Sequence, residues 1–184
     1  MITADDRYLF TSDSWNGFFK QFRVSDGRMI KDHGQLFHDG IRKQLEAPSG
    51  IKSMIITPDS KYLFAASAGG QLKQICLESQ ELVHDYKEIP YGSITCMQTT
   101  RDSKFLIIGD HDGRVKRISV EKRKLQKDFR QVFHNPITAM KISADEKKLF
   151  LGNTEGNLKL MSLKDGTTIK QFCDIHYERI TGIV

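Results

Sequence analysis

The chain has only three cysteines, four prolines and one tryptophan among 184 residues, and each scarcity removes a class of protein. Cys76, Cys96 and Cys173 are odd in number, far apart and form no Cys-x-x-Cys pair, which argues against a disulfide framework or a thiolate zinc site and for a reducing compartment. No apolar run exceeds the length of a strand. The longest, residues 54–57 and 105–109, fall far short of the roughly 20 residues that span a bilayer. The opening MITADDRYLF has neither a basic stretch nor an apolar core, so no secretory signal is expected and the expected location is cytoplasmic. Helical periodicity is missing over any useful length, as are low-complexity tracts and Ser/Gly/Pro linkers. There is also no Gly-x-Ser-x-Gly, no Gly-Lys-Ser/Thr and no Cys/His pair with an orienting group. No catalytic residue, cofactor or metal is therefore expected.

What the chain does contain is a repeat. ADDRYLFTSDSWNGFFKQFRV, PDSKYLFAASAGGQLKQICL, RDSKFLIIGDHDGRVKRISV and ADEKKLFLGNTEGNLKLMSL align, beginning at Ala4, Pro58, Arg101 and Ala144. Each opens on an Asp turn, at Asp5, Asp59, Asp102 and Asp145, and the last three stand 43 residues apart. Gly70, Gly113 and Gly156 keep the same step, and with Gly17 they open GFFK, GQLK, GRVK and GNLK. The first repeat is longer, with 10 of its extra residues after Gly17. Each unit resolves into short strands. Residues 51–57, 94–99 and 137–143 share Ile-x-x-Met, residues 62–66 and 72–77 and their equivalents supply a second and third strand, and residues 82–85, 125–129 and 168–172 a weaker fourth. Asp- and Gly-bearing turns between four strands predict an antiparallel meander.

With Ile-x-x-Met-x-Ile-Thr-Pro-Asp-x-Lys-x-Leu followed by Gly-x-Leu-Lys at a step of 43, the chain resembles the WD-repeat family, whose repeats run about 40–45 residues. The resemblance implies an all-β fold, a β-propeller of four blades with four antiparallel strands each, over residues 1–50, 51–93, 94–136 and 137–179, with 180–184 beginning or completing a further inner strand. The pattern departs from the family at its signature. The tryptophan position holds Phe22, Ile75, Ile118 and Met161, and the aspartate after it Arg23, Cys76, Ser119 and Ser162. Of the hydrogen-bond network that the family implies, only Asp112 and in part Glu155 keep the turn carboxylate, with His134 and His176 near the upstream histidine. Apolar packing is expected to carry more of the stability.

Ile2-Thr3-Ala4-Asp5 matches Ile56-Thr57-Pro58-Asp59, whereas the closing ITGIV matches residues 51–55. Three arrangements follow: an arc of a larger propeller, a half-ring completed by a second copy, or a closed four-blade ring. An arc left open is expected to expose faces lined by Leu9, Phe10, Leu158 and Leu160.

The net charge is +5, and its excess lies in one stretch. Arg114, Lys116, Arg117, Lys122, Arg123, Lys124, Lys127 and Arg130 stand against two acids there, and outside it 20 basic residues face 21 acidic ones. A solvated rim with stems lying over apolar strands is the plain reading; a patch for acidic phosphates is the other. Aromatics for base stacking are not interleaved, which disfavours single-stranded nucleic acid. Asp32, His33, His38, Asp39 and Glu46 have no tetrahedral-site spacing, so residues between Lys31 and Pro48 are expected to form a polar surface excursion rather than a strand. The GDHDG of residues 109–113 reads in register as an ordinary turn.

The resemblance implies a protein-interaction scaffold without catalysis, whose turns and interblade loops meet partner proteins. Trp15, Asn16, His111 and Asn153 are the candidate contacts, Trp15 because tryptophan is enriched at interface hot spots. The alternative is docking of phosphoinositide head groups or nucleic acid on residues 114–130, which salt dependence separates from an apolar interface. The repeat also predicts that Met54, Met97 and Met140, with Ile51, Ile94 and Ile137, form a buried spine.

Overall fold

A computed structural model describes residues 1–13, 17–36, 50–87, 89, 92–173 and 175–183. Among these the fold is all-β, with no helix: fifteen strands form four antiparallel sheets, consistent with a propeller-like arrangement. The chain divides into two compact units, Met1–Ser93 and Ile94–Val184. No helix among the described residues is long and apolar enough to cross a membrane.

Unit 1 holds β1 (Tyr8–Ser12), β2 (Phe18–Arg23) and β3 (Met29–Gln35) in one sheet and β4 (Ile51–Ile56), β5 (Tyr62–Ser67), β6 (Leu72–Cys76) and β7 (Leu82–Asp85) in the next. Unit 2 repeats the four-stranded meander twice, with β8 (Ile94–Thr99), β9 (Phe105–Asp110), β10 (Arg114–Ser119) and β11 (Lys124–Gln131), then β12 (Ile137–Ile142), β13 (Lys148–Asn153), β14 (Leu158–Ser162) and β15 (Thr168–Phe172). The first sheet has three named strands; a fourth is reduced to one antiparallel bridge, Ile2 to Leu9. Strands β5, β9 and β13 are buried nearly throughout, because their residues lie between two neighbouring strands and have apolar side chains on both faces.

The aspartate turns repeat atom for atom. The hydroxyls of Thr3, Thr57, Thr100 and Ser143 donate to Asp5, Asp59, Asp102 and Asp145 at 2.6, 2.6, 2.7 and 2.5 Å. Each carboxylate also accepts the amide two residues on, at 3.1 Å, while each hydroxyl accepts the first amide of the following strand. This is an Asx turn locked by the hydroxyl two residues before the aspartate, and it turns the chain into β1, β5, β9 and β13. The Thr3 and Arg7 bonds hold Asp5 down at about 2, from a usual 3.8; the Ser143 hydroxyl and the Lys147 amide lower Asp145. A carboxylate depressed by folding stabilises fully above its unfolded value and loses that contribution as it is protonated. Because burial also depresses His33, thermal stability is expected to decline as the pH falls through about 6.5, and the aspartate turns add a further fall between about pH 4 and 2. Asp145→Asn should make that fall shallower when melting temperatures are measured across this range, and an unchanged slope would remove these turns from the acid response.

Two apolar clusters form the interiors. In unit 1 Phe10 and Phe19 stack at 5.5 Å among Ile51, Leu63, Ala65 and Ile75. In unit 2 Ile107, Val115, Phe129, Met140, Leu149 and Met161 lead the cluster. Phe10 therefore does not line an open face as expected: it is buried against its own unit. Ile51, Ile94, Ile137, Met97 and Met140 are buried as the repeat predicts, while Met54 is only partly so, at the margin of its cluster.

Lysines of the Gly-x-apolar-Lys units tie sheets together within each unit. Lys73 on β6 donates to the Leu36 carbonyl beyond β3 at 2.6 Å, and Lys159 on β14 does the same to the Val132 carbonyl beyond β11. A second tie comes from the inner strands: Thr95 donates to the Ile137 carbonyl and Thr138 to the Ile180 carbonyl. Ile180 is buried, its amide bonded to the Asn153 carbonyl at 3.1 Å, so residue 180 meets its sheet as Ile137 meets the sheet before it. No ladder is formed over 180–183.

The expectation of a surface excursion beginning at Lys31 is corrected. Lys31 and Asp32 continue β3, in register with Gln21 and Lys20, because Lys20 and Asp32 approach at 3.8 Å and His33 packs on Phe19 at 4.7 Å. Burial pushes His33 below the usual histidine range, so it is a packed strand residue rather than part of a polar loop. His38, Asp39 and Glu46 lie outside the described residues.

Candidate functional site

The turns joining second to third strands were the expected contact loops, and each is fastened by one residue three or four positions before the repeat glycine. Asp110 accepts the amides of Asp112 and Arg114 at 2.9 and 2.8 Å. Asn153 does so for Glu155 and Asn157 at 3.0 and 2.9 Å, Asp13 for Gly17 at 3.0 Å, and the Ser67 hydroxyl for Gln71 at 3.1 Å. Ser67, Asp110 and Asn153 follow the step of 43, so the repeat contains the signal, two residues before the carboxylates Asp112 and Glu155 that the family pattern singles out. Burial raises Asp110 although both amides pull its carboxyl down.

Asn153 is consequently not an exposed contact, since it is 1% exposed and its side chain is spent on its own turn. His111 does stand exposed at the corresponding tip. Trp15 and Asn16 lie outside the described residues. His134 and His176 are exposed, so neither lies in a buried network.

The basic stretch divides when folded. Lys116 is 2% exposed, and burial lowers it while Asp128 and Asp110 oppose that shift. Arg117 lies over the rings of Phe105 at 5.2 Å and Phe129 at 5.7 Å and donates to the Leu163 carbonyl at 2.9 Å; burial lowers its pKa. Lys127 donates to the Lys164 carbonyl at 3.0 Å, and Arg114 reaches Asp112 at 3.7 Å. Lys122, Arg123, Lys124 and Arg130 remain exposed. Lys116 and Arg117 are neighbours on β10 and point to opposite faces of its sheet, the lysine buried and the arginine half-buried, a difference that a count along the sequence does not register. Arg117→Ala is expected to cost about 1–3 kcal/mol through lost packing and the lost carbonyl bond. Neutralising Lys122, Arg123 and Lys124 together to glutamine should leave the urea midpoint within about 0.5 kcal/mol of the parent. Equal effects would place Arg117 on the surface with the others.

Two clefts occupy matching places in the two units, each between adjacent sheets beside the aspartate turns. That of unit 2 encloses about 530 Å³ and is lined by Arg117, Lys147, Leu163 and Lys164 with Glu146. That of unit 1 encloses about 490 Å³ and is lined by Asp5, Tyr8, Gln21, Asp59, Leu77 and Glu78 among others. Unit 2 carries 17 basic against 11 acidic residues and unit 1 carries 11 against 12, so the clefts differ in sign as their units do. Among the described residues no three His, Cys, Asp or Glu side chains gather as for a metal ion.

No family model and no curated protein matches the chain.

Proposed function

We propose that this chain is a WD-repeat-type β-propeller segment that acts in the cytoplasm as a scaffold for other proteins and has no catalysis of its own. The observation that supports it is the fourfold recurrence of capped turns, with Asp13, Ser67, Asp110 and Asn153 each holding one. Rigid turns whose tips differ in sequence, His111 in one and Glu155 in another, are what a recognition surface requires, because fixed loops lose little entropy on binding. Docking of acidic phosphates is the lesser reading, since Lys116 is buried and Arg117 is bonded to the Leu163 carbonyl.

The immobilised chain should retain partner proteins, and a purified partner should then bind it saturably with affinity little changed between about 0.1 and 0.5 M salt. His111→Asp should weaken that complex about tenfold. Binding lost at high salt and shared by any polyanion would replace this reading with phosphate docking. Sedimentation of the chain decides its assembly: a two-copy species supports the half-ring, and a monomer removes it.

A further inference from the structure

The two matching clefts differ in what fills them. In unit 2 a guanidinium of the chain itself spans the gap between sheets: Arg117 lies over the Phe105 ring and donates to the Leu163 carbonyl. The repeat register gives the same three places in unit 1. Arg117 follows Gly113 by four residues as Gln21 follows Gly17, and Leu163 follows Gly156 by seven as Leu77 follows Gly70. Phe105 pairs with Ser119 across its ladder as Tyr8 pairs with Arg23. In unit 1 the arginine is therefore replaced by the shorter, neutral Gln21, the phenylalanine by Tyr8, and the carbonyl belongs to Leu77. At the rim Lys164 of one cleft is replaced by Glu78 of the other.

Three further observations bear on what the unit 1 cleft takes. Gln21 is 2% exposed and its side-chain oxygen has no hydrogen-bond partner among the described residues. A buried amide oxygen left so is costly, and the missing group is a donor. Among the described residues Asp5, Asp59 and Glu78 line the cleft with the cation Arg7, and Lys31 reaches its edge at the Gln80 carbonyl, 3.3 Å away; Asp5 remains ionised throughout the physiological range. Arg7 is largely exposed and bonded to Asp5 at 2.6 Å; its guanidinium stands 5.9 Å from the Tyr8 ring centroid, but the Asp5 bond holds it at the mouth of the cleft rather than at the inner wall where Arg117 lies in unit 2.

From this juxtaposition we propose that the cleft between the β1–β3 and β4–β7 sheets binds the side chain of an arginine from a partner protein, in the position that Arg117 occupies in unit 2. A guanidinium supplies five donors in a plane. It satisfies the Gln21 oxygen and the Leu77 carbonyl at the inner wall, lies against Tyr8 as Arg117 lies against Phe105, and has its charge met by Glu78 at the rim. The source of the arginine rests on the protein-binding reading above; the site itself does not.

The test titrates the whole chain with N-acetylarginine amide while following the Gln21 side-chain amide by nuclear magnetic resonance. N-acetylcitrulline amide, of the same shape without the charge, is the control. Saturable shifts are expected with a dissociation constant of about 1–5 mM for the arginine compound and at least about tenfold weaker binding for the citrulline one. Glu78→Lys, which copies the unit 2 rim on an exposed residue, should weaken the arginine compound about tenfold. Gln21→Arg should place the chain's own guanidinium in the cleft and abolish binding; where that variant misfolds, Glu78→Lys alone decides. Equal shifts with arginine and citrulline, unchanged binding in Glu78→Lys, or a silent Gln21 amide at about 20 mM ligand would overturn the site. A partner protein that binds the parent and Glu78→Lys alike overturns the site and spares the scaffold reading. Arginine-amide binding without any protein partner does the reverse.

Discussion

Gly113→Ala is expected to destabilise unit 2 by about 3–5 kcal/mol, more than any other single change considered. Gly113 sits at φ +76°, and a Cβ built there would lie 2.0 Å from the Phe133 carbonyl oxygen and 2.9 Å from that of Asn135. Both contacts are backbone, so neither can swing aside. The Gly113 carbonyl moreover receives the amides of Val132 and Phe133 at 2.8 and 3.1 Å, so any shift that relieves the clash also breaks the closure of β11 onto the turn. Gly34→Ala is the control: its φ is similar, +66°, but nothing lies within 4 Å, so only the cost of the left-handed conformation, about 1 kcal/mol, applies. Urea unfolding followed by circular dichroism measures both. Similar losses in the two variants would show that backbone conformation rather than the approach of Phe133 governs the position.

Met97→Ala is expected to cost about 2–4 kcal/mol, as truncation of a buried methionine leaves a cavity that its neighbours fill only in part. Met97 is 6% exposed and stands opposite Ile108 in the β8–β9 ladder. Its equivalent Met54 stands opposite Ala65 and is only partly buried. Met54→Ala should therefore cost about 1 kcal/mol, since the lost area was already partly in water. Identical positions in the repeat thus make different predictions, and differential scanning calorimetry separates them. A loss for Met54→Ala as large as for Met97→Ala would mean that the repeat, not the local burial, sets the energy.

Much of the architecture was legible along the chain because antiparallel meanders are local. Ile51, Ile94 and Ile137 at equal steps mark inner strands, Asp5, Asp59, Asp102 and Asp145 mark turns built within six residues, and the glycines mark where the third strand begins. Such features need only near neighbours in sequence, so spacing and residue type determine them. The outer strands were less legible, as β3 shows: Lys31, Asp32 and His33 read as a polar loop, and a half-exposed edge strand has little apolar pattern to announce it.

Burial and partnership across sheets were decided by tertiary structure alone. The sequence by itself marks Lys116 and Arg117 as members of a basic run and Asn153 as a loop residue. Folding sends the lysine inside, lays the guanidinium over Phe105 and Phe129 and spends the amide on its own turn, because β10 is an inner strand of its sheet and the Leu163 carbonyl that holds Arg117 belongs to a sheet some forty residues away. The pairing of Gln21 with an acidic cleft has the same origin. Gln21 and Glu78 are far apart in the chain and neither is unusual there; only when the β1–β3 and β4–β7 sheets stack do an unpartnered amide oxygen and a carboxylate come to line the same cleft.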